Sequence, residues 1–140
     1  LEHAFSVYLD YAQAWQRREQ EEPALVFPLS YIAFARQQPR LFKALFVRHM
    51  DLDMTRPEDF YREPGNGDRA ADFARAVGLA PQQARAVFLD LFFYAHGMAV
   101  LTAAGKMTLE PSDARAMVRR MLEARVRREL EEDHDRPVSD

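Results

Sequence analysis

The chain has 140 residues and a formal net charge of −3, and 48% of its residues are hydrophobic. This size and composition are typical of one globular domain and exclude a disordered or fibrous chain. The negative charge disfavours direct binding to nucleic acid phosphates, and the absence of cysteine excludes disulfides and thiolate metal sites. No uninterrupted apolar run reaches the roughly 18 residues of a membrane span. We therefore expect a soluble cytoplasmic protein with no membrane partner.

Apolar residues at steps of three and four predict the first helix. They are Leu1, Phe5, Tyr8, Ala12 and Trp15. Pro23 then favours the start of a second helix that runs to Gln38, with Pro28 near its first turn or at a kink. Pro39 in the same way predicts the start of a third helix.

The segment from Asp51 to Asp68 is the one long stretch without helical periodicity. It contains two prolines and the turn signal Gly65-Asn66-Gly67, so the sequence predicts a mobile loop. Asp68 is then expected to cap a short helix that ends at Gly78.

The strongest element is a helix from Pro81 to Ala104, closed by Gly105. Its apolar residues lie on nearly every side, which predicts a helix that is central or shared with a partner subunit. A last helix is predicted from about Ser112 to Leu130. No segment alternates with the period of a strand, so we predict an all-α bundle of about six helices.

Two stretches carry a family resemblance. Residues 31–46 (YIAFARQQPRLFKALF) form a helix, a proline and an aromatic-rich helix, and residues 92–101 (FFYAHGMAVL) form an aromatic helix with a His-Gly pair. Together with Gly105-Lys106-Met107 and a last helix, this order resembles the C-terminal domain of TetR-type transcriptional regulators.

The resemblance implies a helical domain that binds a small molecule and dimerises through its last two long helices. In such regulators an N-terminal helix-turn-helix binds DNA, and nothing in this sequence supplies that element. We therefore expect an effector-binding and dimerisation domain over residues 1–132, with a charged, frayed tail over residues 133–140. Any contact with DNA would then be made only by the missing N-terminal domain.

The aromatic side chains are candidates for the wall of an apolar pocket, with Met50 and Met98 beside them. The expected ligand-binding residues are Tyr8, Trp15, Phe34, Phe42, Phe46, Phe88, Phe92 and His96. Such walls suit a small, hydrophobic, rather flat effector. The alternative is that the same residues form a solid core.

Gly97 lies within the central helix, where glycine costs roughly 1 kcal/mol relative to alanine. It therefore indicates a close approach, either by a helix of a second subunit or by a ligand that also contacts His96. The expected homodimer interface comprises Tyr94, Gly97, Met98, Leu101, Met117, Val118, Met121, Leu122 and Arg125.

Other charged residues have simpler interpretations. Asp90 is expected to pair with an arginine or lysine of another helix or to reach solvent, and a cationic ligand is the alternative. The arginines of the last helix are expected to pair with neighbours such as Glu123. The triplet His49-x-Asp51-x-Asp53 could hold a metal ion, but it is also an ordinary helix end, and we expect no metal and no cofactor.

No catalytic motif occurs in the sequence: it has no phosphate-binding glycine loop, nucleophile elbow or zinc-protease signature. We expect no enzyme. Two other functions remain open. One is a helical interaction module without a ligand, and the other is an enzyme whose His and Asp meet only in space, as His96 with Asp90 or His49 with Asp51.

Overall fold

The computed structural model describes the backbone of residues 2–50 and 53–135, with side chains from residue 6 to residue 132 outside the same gap. Six α-helices follow one another: α1 (Glu2–Glu19), α2 (Pro23–Gln37), α3 (Pro39–Lys43), α4 (Pro64–Val77), α5 (Pro81–Ala103) and α6 (Pro111–Asp135). A π-helical turn (Ala44–Arg48) continues α3, and a 3-10 helix (Pro57–Arg62) precedes α4. These ranges contain no strand, and the predicted all-α fold is confirmed.

Prolines and glycines set most helix boundaries. The predicted starts at Pro23, Pro39 and Pro81 are confirmed, since proline presets the helical φ and its missing N–H is not needed in the first turn. Gly78 and Gly105 end α4 and α5 with φ values of 74° and 71°, the left-handed conformation that glycine adopts without strain.

The prediction of a mobile loop between residues 51 and 68 is wrong for most of the described part of this segment. A 3-10 helix occupies Pro57–Arg62, and α4 begins at Pro64, so the Gly65-Asn66-Gly67 signal lies in its first turns. Asp68 is therefore inside α4 and does not cap it.

Two side chains explain why this segment is ordered. The carboxylate of Asp59 accepts hydrogen bonds from the backbone N–H groups of Thr55 and Arg56, both at 3.1 Å. The amide of Asn66 donates to the carbonyl oxygen of Phe60 at 2.9 Å. Because these bonds join residues up to six positions apart, helical periodicity does not reveal them.

Helix α5 lies at the centre of the bundle and packs against α2, α3, α4 and α6. By length and composition it could cross a membrane, and its central position accounts for that apolar character. Its burial is one-sided, however, because Phe93 and Leu101 are 42% and 47% exposed. The sequence predicted a helix enclosed on every side, and within this chain only part of the helix is enclosed.

Helix α6 is longer than predicted. It begins at Pro111 and ends at Asp135, beyond the expected end at Leu130 and inside the expected tail. Residues 136–140 of that tail lie outside the described residues. Three arginines of α6 pair with glutamates of the same helix as expected: Arg119 with Glu123, Arg125 with Glu129 and Arg128 with Glu132.

Asp90 of α5 forms an ion pair with an arginine of another helix. The distance between Arg125 Nε and Asp90 Oδ2 is 2.7 Å. This confirms the expected interhelical partner and links α5 to α6.

Candidate functional site

Five aromatic side chains from α1, α2, α3 and the π-helical turn form what we call the aromatic cluster. Its members are Tyr8, Tyr31, Phe34, Phe42 and Phe46. Their contacting ring centroids are 5.1 to 6.5 Å apart, and none of the five is more than 7% exposed. The rings of the aromatic cluster therefore pack against one another within the core.

His96 connects α5 to the aromatic cluster. Its Nδ1 lies 2.9 Å from the hydroxyl of Tyr31, and its ring stacks on Phe92 at a centroid distance of 5.5 Å. Burial lowers the pKa of His96 and raises the pKa of Tyr31. The arrangement thus favours a neutral imidazole that accepts a hydrogen bond from a protonated tyrosine.

A cleft of about 240 Å³ lies beside the aromatic cluster, between α1, α2, α4 and one residue of α5. Most of its wall is apolar. The apolar lining residues are Leu9, Ala12, Pro23, Ala24, Val26, Phe27, Phe73, Ala76 and Phe88. Apolar walls around a few polar groups are typical of small-molecule sites.

The polar groups of the cleft come from α1, α2 and α4. The Tyr8 and Ser30 hydroxyl oxygens are 2.9 Å apart, and burial raises the pKa of Tyr8, which keeps its hydroxyl protonated. Arg69 lines the cleft half-buried, and its Nη1 donates to Asn66 Oδ1 at 2.7 Å. Asp72 also lines the cleft, but its carboxylate is paired with Arg75.

The structure separates the expected ligand-binding residues. Tyr8 and Phe88 line the cleft. The others lie elsewhere: Phe34, Phe42 and Phe46 in the aromatic cluster, Phe92 and His96 beside Tyr31, and Trp15 in the core cluster that α2, α4, α5 and α6 share. Their role in ligand binding stays a prediction.

Sequence reasoning missed Arg69 and Ser30. The useful signal was the spacing of Arg69, Asp72, Phe73 and Ala76, which places all four on one face of a helix. The predicted helix from Asp68 to Gly78 contains all four residues, but their spacing does not show what that face of the helix packs against.

The expected interface residues fall into two groups. Tyr94, Gly97, Leu101, Met117, Met121 and Arg125 are exposed or half-buried. Met98, Val118 and Leu122 are 7%, 0% and 6% exposed and lie in the core of their own chain. A Cβ added at Gly97 would meet no heavy atom within 4 Å, so no close neighbour within the described part of this chain requires glycine there.

The alternative metal and enzyme sites are not assembled in the described residues. These residues contain no cluster of three His, Asp or Glu side chains suited to a metal ion, and Asp51 lies outside them. His96 contacts Tyr31 and Asp90 contacts Arg125, so His96 and Asp90 engage other partners.

Comparison with known proteins gives one family. The family model described as "Tetracyclin repressor-like, C-terminal domain" matches residues 26–125, from α2 into α6. Searches of curated proteins and of solved structures gave no match. Because the family match spans more than half of the chain and agrees with its helical fold, the chain belongs to the tetracyclin repressor-like C-terminal domains, the regulatory domains of TetR-type transcriptional regulators.

Proposed function

We propose that this domain senses a small hydrophobic effector, homodimerises, and thereby controls DNA binding by a helix-turn-helix joined to the N-terminal side of α1. The observation that carries this proposal is the cleft between α1, α2 and α4, with its apolar walls and volume of about 240 Å³. Family membership supports a regulatory role in the cytoplasm rather than an enzymatic one.

An effector in the cleft would lie against α1, the helix that would transmit the signal. Tyr8, Leu9 and Ala12 contribute a wall from α1, and Arg69 and Phe73 contribute the facing wall from α4. A ligand between the two walls favours one spacing of these helices. The ligand would shift the equilibrium between two positions of α1, because it binds one of them more tightly than the other.

The corner between α1 and α2 supplies a fixed point for such a movement. The side chain of Gln16 donates to the carbonyl oxygen of Glu21 at 2.7 Å and accepts from its N–H at 3.0 Å. Glu21 in turn pairs with Arg115 of α6 at 2.8 Å. A change near Tyr8 would therefore displace the N-terminal half of α1 more than its C-terminal end.

The exposed side of α5 supplies the proposed homodimer interface. Phe93, Gly97 and Leu101 lie four residues apart on one face of the helix and are exposed, and Met117 and Met121 of α6 are half-buried. Glycine at the centre of this stripe would let a helix of a second copy approach closely. Met98, Val118 and Leu122 would act indirectly, by supporting α5 and α6 from within the core.

Filling the cleft tests the ligand-sensing part. Ala76 and Ala71 are both exposed on α4, but only Ala76 lines the cleft. We expect 1-octanol to raise the melting temperature of the native chain and of Ala71→Phe, but not of Ala76→Phe. No shift with the native chain, or the same shift with all three, would contradict ligand binding in the cleft.

The solid packing of the aromatic cluster favours the second function considered, a helical interaction and dimerisation module without a small-molecule ligand. Under that alternative the cleft is a packing defect. Ala76→Phe would then leave stability unchanged or raise it, and 1-octanol would have no effect on any variant.

A further inference from the structure

One segment of the domain carries positive charge that no acidic residue within it balances. Residues 23–50 contain four Lys or Arg residues and no Asp or Glu. Because the whole chain carries −3 and this segment carries +4, the rest of the chain carries −7. The negative net charge, which disfavours binding to phosphates for the chain as a whole, therefore does not describe this segment.

The four cationic side chains lie around one short stretch of helix. Phe42 and Phe46 are buried in the aromatic cluster, so the residues between and beside them face away from the core. Three of the four cations are exposed and Lys43 is half-buried. We call the four residues the cationic surface: Arg36 in the last turn of α2, Arg40 and Lys43 on α3, and Arg48 at the end of the π-helical turn.

The cationic surface has no acidic partner within the described residues, since none of its four members forms an ion pair there. By contrast, Arg115, Arg119 and Arg125 of α6 each contact a carboxylate at 2.7 to 2.9 Å. The nearest preceding acidic residue in the sequence, Glu22, is itself paired with Arg119. The charge of the cationic surface is therefore available to an anion outside the chain.

The cationic surface lies at the end of the bundle where α1 begins. Tyr11 of α1 donates a hydrogen bond to Gln37 Oε1 at 2.6 Å, and the ring centroids of Tyr8 and Phe46 are 5.8 Å apart. From Tyr11 back to Glu2 the helix rises about 14 Å, away from the corner that joins α1 to α2. A domain joined to the N-terminal side of α1 would therefore stand on the same side of the molecule as the cationic surface.

The apolar residues beside the cations favour nucleic acid over an anionic membrane as the partner. Leu41 and Val47 are 36% and 47% exposed. Two such side chains on so short a helix do not supply the apolar area by which amphipathic helices anchor in a bilayer. Duplex DNA needs no apolar contact, because neutralisation of its phosphates releases counterions and drives binding.

We propose that the cationic surface binds the phosphates of duplex DNA, without reading the base sequence, beside the segment bound by the joined helix-turn-helix. This inference goes beyond the proposed function, and the presence of DNA on this side of the domain rests on it. The domain contributes affinity that does not depend on sequence, and the helix-turn-helix contributes specificity.

The experiment is fluorescence anisotropy of a labelled DNA duplex of arbitrary sequence, titrated with the full chain at 25 to 200 mM KCl. We expect a dissociation constant of roughly 10 to 100 µM at the lowest salt. The logarithm of the association constant should fall with the logarithm of the salt concentration with a slope of about −2 to −4, because up to four phosphates are neutralised. Undetectable binding at 25 mM KCl, or binding that does not weaken with salt, would overturn the proposal.

Charge reversal separates the cationic surface from the net charge of the chain. At 50 mM KCl we expect Arg40→Glu/Arg48→Glu to weaken binding roughly tenfold or more. The control Arg17→Glu/Arg120→Glu changes the net charge equally at exposed positions of α1 and α6. It should weaken binding less than about threefold, since salt screens distant charges. Equal weakening by the two variants would contradict a localised DNA surface.

An added cation provides a test that keeps every native charge. Val47→Arg, within the segment, should tighten binding about threefold or more. Leu130→Arg, at a side chain of α6 that is 50% exposed, should change it less than about twofold. This pair decides the proposal if circular dichroism shows that the charge-reversal variant does not fold, and equal effects of the two changes would overturn it.

Vesicles of phosphatidylglycerol and phosphatidylcholine distinguish the other partner. Co-sedimentation of the chain with these vesicles at a salt concentration where the duplex does not bind would assign the surface to a membrane and overturn the DNA proposal. None of these outcomes alters the expected effect of 1-octanol on the melting temperature. Failure of DNA binding therefore leaves ligand sensing standing, and absence of the 1-octanol effect with DNA binding retained would contradict ligand sensing alone.

Discussion

The hydrogen bond between His96 and Tyr31 joins the central helix to the aromatic cluster. Its distance of 2.9 Å and the stacking of His96 on Phe92 place the imidazole in surroundings that disfavour a charge. Sequence reasoning assigned His96 to a ligand, because the partner on α2 is 65 residues away. A contact of that sequence separation depends on the tertiary fold.

This contact predicts a pH-dependent stability. Burial holds the pKa of His96 below its ordinary value of 6.5, so the unfolded chain binds the proton more readily than the folded one. The stabilising effect of the neutral imidazole is complete above pH 6.5 and is lost as the pH falls through the folded pKa. We expect the change from pH 7.5 to pH 5.5 to lower the free energy of unfolding, measured with urea, more in the native chain than in His96→Gln. Equal losses would contradict this account.

Asn66 carries a second residue-scale prediction. It is buried and bridges Phe60 and Arg69, so Asn66→Ala removes a hydrogen bond on each side. We expect the free energy of unfolding to fall by about 1 to 3 kcal/mol, measured by urea denaturation. Gln82→Ala, at an exposed position of α5, is the control and should change stability by less than about 0.5 kcal/mol. A similar small effect at Asn66 would disprove the bridge.

At the scale of elements, local signals explain the helices that the sequence predicts correctly. Pro81 and Gly105 bracket α5 because each acts through its own backbone. The π-helical turn after α3 has no comparable local signal, whereas the 3-10 helix before α4 begins at Pro57 and contains Asp59, which bonds the backbone of Thr55 and Arg56. Both elements are stabilised by contacts such as those of Phe46 with Tyr8 and of Phe60 with Phe92, which join separate helices.

The corner between α1 and α2 gives a prediction at this scale. Gln16→Ala removes both hydrogen bonds that close the corner around Glu21, and Gln20 there has a strained positive φ of 53°. We expect faster amide hydrogen exchange from Gln20 to Glu22 and a stability loss of about 1 kcal/mol. Gln13→Ala, at an exposed position of α1, is the control. Unchanged exchange in Gln16→Ala would rule out the corner as a fixed point.

At the scale of the whole molecule, the candidate site was only partly predictable. Tyr8 and Phe88 were expected in it and line the cleft. Arg69 was missed because its place in the cleft depends on how α4 packs against α2 and α5. The family resemblance predicts a pocket and an interface, but not which faces of the helices point inward. Val118, for example, follows the apolar stripe of α6 and is fully buried within its own chain.

The homodimer is the part of the proposal that depends on the molecule as a whole. Leu101 on the proposed interface and Val47 on the π-helical turn are both 47% exposed. A charge at either position should have little effect on the fold of one chain. Only the charge at Leu101 should break a seam between copies, since a buried unpaired charge strongly destabilises an interface.

Sedimentation equilibrium of the native chain, Leu101→Arg and Val47→Arg tests this central claim most directly. We predict a mass of twice the 16.2 kDa of the chain for the native protein and for Val47→Arg, and a single-chain mass for Leu101→Arg. A native protein that stays a monomer up to high micromolar concentration, or a Leu101→Arg variant that remains a dimer, would contradict the account.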